Sequence, residues 1–206
     1  MFKIAVLISG GGTNLQYIID SINRNYLNCS IECVISDRKD AYGLERAKNN
    51  DIDTHYIDRK YTEKSVSDRI LEIIDGKVDL IVLAGFLSIL EGEILRKFKN
   101  KIINIHPSLI PSFCGKGMYG IKVHEKAIEY GVKVSGCTVH FVDEGTDTGP
   151  IIIQKAVPVY SYDTAEKLQA RVLEEEHNIL VEAIKYISEG KIEIIGRKVK
   201  ISSICN

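Results

Sequence analysis

Apolar residues fall along this chain in short runs that alternate with stretches of helical spacing. Residues 3–8 form an apolar run that stops at Ser9-Gly10-Gly11-Gly12, which predicts a buried strand and a turn. In 14–22, Leu15, Ile18, Ile19 and Ile22 recur at the spacing of an amphipathic helix. The alternation continues with strand 31–36, helix 41–49, strand 54–57 and helix 63–74, which carries Val66, Ile70, Ile73 and Ile74. Leu80-Ile81-Val82-Leu83-Ala84 is apolar throughout, as expected of a strand buried on both faces. Helix 91–98 and strand 102–105 complete the series. Strands and helices alternating at this spacing predict an α/β fold with a doubly wound, mostly parallel sheet.

Beyond Pro107 the pattern changes. A glycine-rich loop, 112–120, precedes a helix at 123–130, and the spacing then predicts strands at 134–142 and 151–159. A long helix is expected from Asp163 or Thr164 to 188, with Asp163 and Glu166 at capping-box spacing and Gly190 as its stop. A hairpin over 191–201 closes the chain, so the C-terminal half is read as an antiparallel addition. Residues 1–206 are expected to form a single domain, with a nucleotide-binding half, 1–105, and a second half, 106–206.

Composition narrows the functions open to such a chain. Of 206 residues, 45% are hydrophobic and 27% charged, with a formal net charge of -1. There is no long basic run, so no nucleic-acid partner is expected, and any anion must be held by local groups. The first apolar run is too short to cross a membrane, and no membrane association is expected. Five cysteines (Cys29, Cys33, Cys114, Cys137 and Cys205) form no paired framework, which points to reduced thiols in the cytoplasm.

The chemistry concentrates at strand 102–105. Asn104 and His106 are two residues apart and leave the strand on one face, where it ends at Pro107. In an open parallel sheet the ligand crevice lies at the carboxyl ends of the strands. An amide donor beside an imidazole suits a carbonyl that develops negative charge, although both could simply terminate a strand. Gly10-Gly11-Gly12-Thr13-Asn14 joins a strand to a helix, and a phosphate cradle is favoured there over a plain turn. The turn lacks the G-K-[ST] of a P-loop and the third glycine of a dinucleotide fingerprint.

Glu176 falls within the apolar stripe formed by Leu168, Val172, Ile179, Ala183 and Ile187, while Glu174 and Glu175 fall nearer the polar side. A sugar-hydroxyl acceptor and a structural ion pair are both open for it. Asp147 sits in the turn-rich loop Thr146-Asp147-Thr148-Gly149-Pro150. It is an ordinary turn residue unless it meets His106 in space. His140 is read as structural or solvent-facing, and His124 and His177 as solvated helix positions. No Cys/His cluster has metal-ligand spacing, so no metal is expected. Cys114 lacks a neighbouring base.

Taken together, these segments resemble the glycinamide ribonucleotide formyltransferase family, the folate-dependent enzymes of purine biosynthesis. The resemblance rests on Asn104-Ile105-His106-Pro107-Ser108-Leu109-Ile110-Pro111 with Asp147-Thr148-Gly149-Pro150-Ile151. Residues 8–15, 41–47, 82–86 and 169–177 support it. It implies a Rossmann-like formyltransferase fold and direct transfer of the formyl group of 10-formyltetrahydrofolate to the amine of 5-phosphoribosylglycinamide. Asn104 would donate to the oxyanion. His106 would stabilise it and move protons, and Asp147 would hold His106 in its cationic form.

By the same resemblance Gly12, Thr13 and Asn14 would hold the nucleotide phosphate, and Leu173, Glu174, Glu175 and Glu176 would lie at the ribose. The folate would contact Lys64, Leu87, Ser88, Ile89, Leu90 and Asn104, together with Asp143, Glu144, Gly145, Thr146 and Asp147. Lys64 and Ser88 stand where family members carry an arginine or a larger basic residue. The loop 112–121 is expected to be a mobile cover. The resemblance does not decide between a monomer and a homodimer.

Four rival readings remain at this level. A methionyl-tRNA formyltransferase would carry a further C-terminal domain, for which the chain is read as too short. A 10-formyltetrahydrofolate hydrolase would carry an N-terminal regulatory domain. A dinucleotide-dependent oxidoreductase would use Asp37 for ribose hydroxyls, and a non-catalytic nucleotide-binding module would tolerate loss of His106 and Asp147.

Overall fold

A computed structural model describes residues 1–60 and 63–202. Cys205, counted above, lies outside them. The chain divides into two compact units, Met1–Asn104 and Ile105–Asn206.

The first unit is built from β1 (Phe2–Ile8), α1 (Thr13–Asn23), β2 (Cys29–Ser36), α2 (Tyr42–Lys48), β3 (Thr54–Tyr56), α3 (Val66–Ile74), β4 (Leu80–Leu83), α4 (Glu93–Lys97) and the start of β5 (Ile102–His106), whose last two residues belong to the second unit. Its strands run in the order β3-β2-β1-β4-β5, and every pairing is parallel. Ile4 to Ile8 are fully buried, and β1 lies in the middle of the order. The order reverses at β1: β2 and β3 lie on one side of it, β4 and β5 on the other. The carboxyl ends of β1 and β4 therefore border a topological switch point.

Local chemistry adjusts several predicted boundaries. Helix 63–74 starts at Val66, because the Ser65 hydroxyl accepts the Asp68 N–H at 3.1 Å and caps it. In α1 the stripe is Leu15, Ile18 and Ile19, whereas Ile22 is only half-buried.

The second unit carries α5 (Ile121–Tyr130), β6 (Val134–Phe141), β7 (Ile151–Pro158), α6 (Ala165–Ser188), β8 (Ile192–Ile195) and β9 (Lys198–Ile201). β6 and β7 pair antiparallel, as do β8 and β9, and the expected C-terminal hairpin is present. The α/β architecture, a parallel core with antiparallel C-terminal strands, is the predicted one.

At the start of α6 the cap differs from the expectation. Thr164, not Asp163, is the N-cap, and its hydroxyl accepts the Lys167 N–H at 3.4 Å. Asp163 instead accepts both Arg171 Nη1 at 2.7 Å and Arg171 Nη2 at 2.9 Å. This fork holds the Asp163 carboxyl well down, at about 2.

Candidate active site

β5 carries Asn104, half-buried, and His106, 4% exposed, two residues apart in the strand. In the second unit His106 meets Asp147, which the sequence left undecided. His106 Nδ1 lies 3.7 Å from Asp147 Oδ2. His106 Nε2 lies 3.0 Å from the Phe113 carbonyl and must carry a proton to donate to it.

Asp147 is held in place by its turn. It adopts φ +58°, in the left-handed region that Asp tolerates better than most residues. Gly149 follows because a side chain there would bring its Cβ to 1.8 Å from the Phe141 carbonyl oxygen. Asp143 ties the other side of the turn, accepting Gly145 N–H at 3.1 Å and Thr148 Oγ1 at 2.5 Å. Asp147 Oδ2 also accepts the Gly115 N–H at 2.8 Å. Loop 112–120 therefore touches both members of the pair through its backbone.

A third member was missed. His140 Nε2 lies 3.6 Å from Asp147 Oδ1, while its Nδ1 lies 2.8 Å from the Phe141 carbonyl. It is 2% exposed, so of the two expected readings the solvent-facing one is corrected: it faces the carboxylate that His106 faces. The β6–β7 register shifts between Val139 and His140, an irregularity that alternation cannot reveal.

The charges in this cluster oppose burial. Burial raises the Asp147 carboxyl, but the His140 ring, the His106 charge and the Gly115 N–H outweigh it, and the group is held below its ordinary value. For His106 the balance reverses. Burial lowers it below the ordinary histidine value, Asp147 and the Phe113 carbonyl oppose this, and His140 adds to it. Asp147 thus pushes the ring towards its cationic form, as expected of it, and burial outweighs that push. At 3.7 Å the contact is too long for a hydrogen bond, and too weak to offset desolvation of the ring.

His124, read as solvated, is 1% exposed, and its Nδ1 has no hydrogen-bond partner among the described residues. Burial first and the His106 charge second pull it down to about 4. His177 is half-buried rather than solvated, and burial lowers it too. Cys114 Sγ donates to the Pro111 carbonyl at 3.3 Å, and burial raises its thiol, which leaves it a poor nucleophile.

On α6, Glu174 is exposed, Leu173 and Glu175 are half-buried, and Glu176 is 9% exposed within the apolar stripe, as the spacing predicts. Cys137 stands near it: burial raises the Cys137 thiol and the Glu176 charge raises it further.

In the first unit the glycine turn is shaped from behind by α2. Gly43 N–H donates to the Gly10 carbonyl at 3.0 Å, and Arg46 Nε donates to the Gly11 carbonyl at 2.8 Å. A trans peptide points its C=O and N–H in opposite directions, so the N–H groups of Gly11 and Gly12 turn away from α2. Gly12 has φ +71°, and a Cβ on it would fall 2.7 Å from Gly43 Cα. Thr13 is exposed and Asn14 buried at the first turn of α1. Such an end presents N–H groups to an anion.

After β4, Leu87 is 40% and Ile89 is 69% exposed, whereas Leu90 is buried. Ser88 Oγ donates to Asp37 Oδ2 at 2.6 Å. Lys64 is exposed and forms an ion pair with Glu72. Asp37 accepts from Ser9 and Ser88, and its side chain is fully buried, so it is not presented to a dinucleotide ribose. Among the described residues no group of three or more His, Cys, Asp or Glu could hold a metal ion, and no helix is long and apolar enough to cross a membrane.

Residues 2–184 match the family model described as formyl transferase. A phosphoribosylglycinamide formyltransferase of Haemophilus influenzae is 43% identical over 94% of this chain and 91% of its own. The crystal structure of glycinamide ribonucleotide transformylase 1 from Symbiobacterium toebii superposes with a TM-score of 0.92 at 46% identity, covering 98% of this chain and 95% of that one. The chloroplastic phosphoribosylglycinamide formyltransferase of Vigna unguiculata is 40% identical over 92% of this chain, which spans 62% of that protein's length. The buried histidine–carboxylate pair, the glycine turn and these matches agree, and the chain belongs to the formyl transferase family.

Proposed function

We propose that this chain transfers the formyl group of 10-formyltetrahydrofolate to the amine of 5-phosphoribosylglycinamide, a step of purine biosynthesis. The observation that carries this reading is the approach of Asp147 to His106 at the end of the strand that bears Asn104. The relatives of that name, matched over nearly the whole chain, support it.

The amine nitrogen attacks the formyl carbon, and the carbonyl π electrons move to oxygen. Asn104 donates to that oxyanion, and His106 donates to it or relays the proton that leaves the amine. Collapse of the tetrahedral intermediate breaks the bond to N10 of the folate, which takes up a proton. Asp147 orients His106 and favours its cationic form once the reacting oxyanion adds a second negative charge beside the ring.

Gly12, Thr13 and Asn14 hold the phosphate, an assignment the outward-turned N–H groups support. Glu176, with Leu173, Glu174 and Glu175, serves the ribose. Leu87, Ser88, Ile89 and Leu90 serve the folate with Asn104, and so do residues 143–147. Lys64 contributes there only if it leaves Glu72. Residues 1–206 act as one formyltransferase domain in the cytoplasm, as a monomer or homodimer, with no nucleic acid and no membrane involved.

The test is formyl transfer by the wild-type chain, with His106→Ala and Asp147→Asn assayed in parallel. Rapid transfer that both substitutions abolish supports the reading. Release of free formate makes the chain a hydrolase, and nucleotide binding without transfer makes it a binding module.

A further inference from the structure

Asp37 follows β2, and its side chain is fully buried. Ser9 Oγ donates to its Oδ1 at 2.6 Å, and Ser88 Oγ donates to its Oδ2 at 2.6 Å. Arg59 Nη1 lies 3.6 Å from Oδ2, with the arginine side chain 42% exposed. Ser9 Oγ in turn accepts the Leu87 N–H at 2.8 Å, and the Ser9 N–H donates to the Gly85 carbonyl at 3.0 Å. One carboxylate thus ties the ends of β1 and β2 to the segment that follows β4, beside the switch point.

A carboxylate so buried is stable only when donors replace its lost water. Two hydroxyls and a guanidinium do so here, and each is supplied by a different segment. The result for 85–89 is specific. Ser88 is turned inward by its bond to Asp37, and Leu87 is pinned through its N–H. Leu87 and Ile89, on either side of that serine, are left exposed at 40% and 69%. Exposed aliphatic side chains on a segment held this firmly form a rigid apolar surface rather than a loose loop.

We infer that Asp37 is a positioning residue for the cosubstrate: through Ser9 and Ser88 it fixes the segment that presents Leu87 and Ile89 to the apolar body of the folate. This rests on the reading that the chain is a folate-dependent formyltransferase. Asp37 itself touches no substrate. Its effect falls on one of the two substrates, which a general loss of stability would not reproduce.

The test uses the full chain and steady-state kinetics with each substrate varied in turn, for wild type, Asp37→Asn and Ser9→Ala. Ser9→Ala removes only the hydroxyl that links Asp37 to the Leu87 N–H, so it carries the test if Asp37→Asn does not fold. Both variants are expected to raise KM for 10-formyltetrahydrofolate by about tenfold, with KM for phosphoribosylglycinamide and kcat within about twofold of wild type. Unchanged KM for the folate, or equal rises for both substrates, overturns the inference. If wild type itself transfers no formyl group, the underlying reading falls and the inference falls with it.

Discussion

His140 Nε2 lies 3.6 Å from Oδ1 of Asp147, so the carboxylate that faces His106 through one oxygen faces a second buried histidine through the other. The carboxylate is thus flanked by two buried imidazoles. His140 helps hold Asp147 ionised, and its charge disfavours a proton on His106. Replacing His140 with Gln should raise the Asp147 pKa. The acid limb of the kcat/KM profile should then move to higher pH, with activity down by about tenfold. A profile that superposes on wild type would show that His140 is a packing residue.

His106→Ala removes the ring that meets the developing charge, and Asp147→Asn removes the group that orients it. Each is expected to lower kcat by about 10²- to 10⁴-fold while the thermal midpoint stays near that of wild type. Full activity in either variant would remove that residue from the mechanism.

His124 makes stability depend on pH. Its folded value is about 4 against 6.5 for the unperturbed side chain. As pH falls below 6.5 the unfolded chain binds the proton first, so stability is intact above 6.5 and is lost towards 4. The loss from this group is at most roughly 3 kcal/mol. Urea unfolding across that range should show a flatter acid slope for His124→Leu than for wild type. Parallel slopes would mean that His124 titrates normally.

Gly12→Ala should destabilise the turn, because alanine is strained at φ +71° and its Cβ would meet Gly43 Cα at 2.7 Å. A loss of about 1–3 kcal/mol is expected from urea titration, together with weaker binding of phosphoribosylglycinamide. Wild-type stability would mean that α2 can shift away from the turn at little cost.

Segment 112–121 should exchange its amide hydrogens more slowly once both substrates are added, as a closing cover excludes water from the reacting formyl group. The Phe113 carbonyl occupies His106 Nε2, so the segment must shift for that nitrogen to serve the reaction. Identical exchange with and without substrates would rule out the cover.

Much of this protein was determined by its sequence alone. The alternation of short apolar runs with helical stripes gave every strand and helix described, because burial on one face or two is written directly into residue spacing. Spacing likewise placed Glu176 within a buried stripe and put Asn104 and His106 on one strand face. Only the tertiary structure decided the meeting of Asp147 with His106, 41 positions apart, and with His140 across an irregular strand. Local pattern carries no information on contacts between distant segments. Burial then lowered the His106 pKa against the pull of Asp147 and exposed the error at His124, because desolvation depends on everything packed around a ring. The Asp37 network was equally hidden: its partners Ser9, Arg59 and Ser88 come from separate loops, and only the folded chain brings them to one carboxylate.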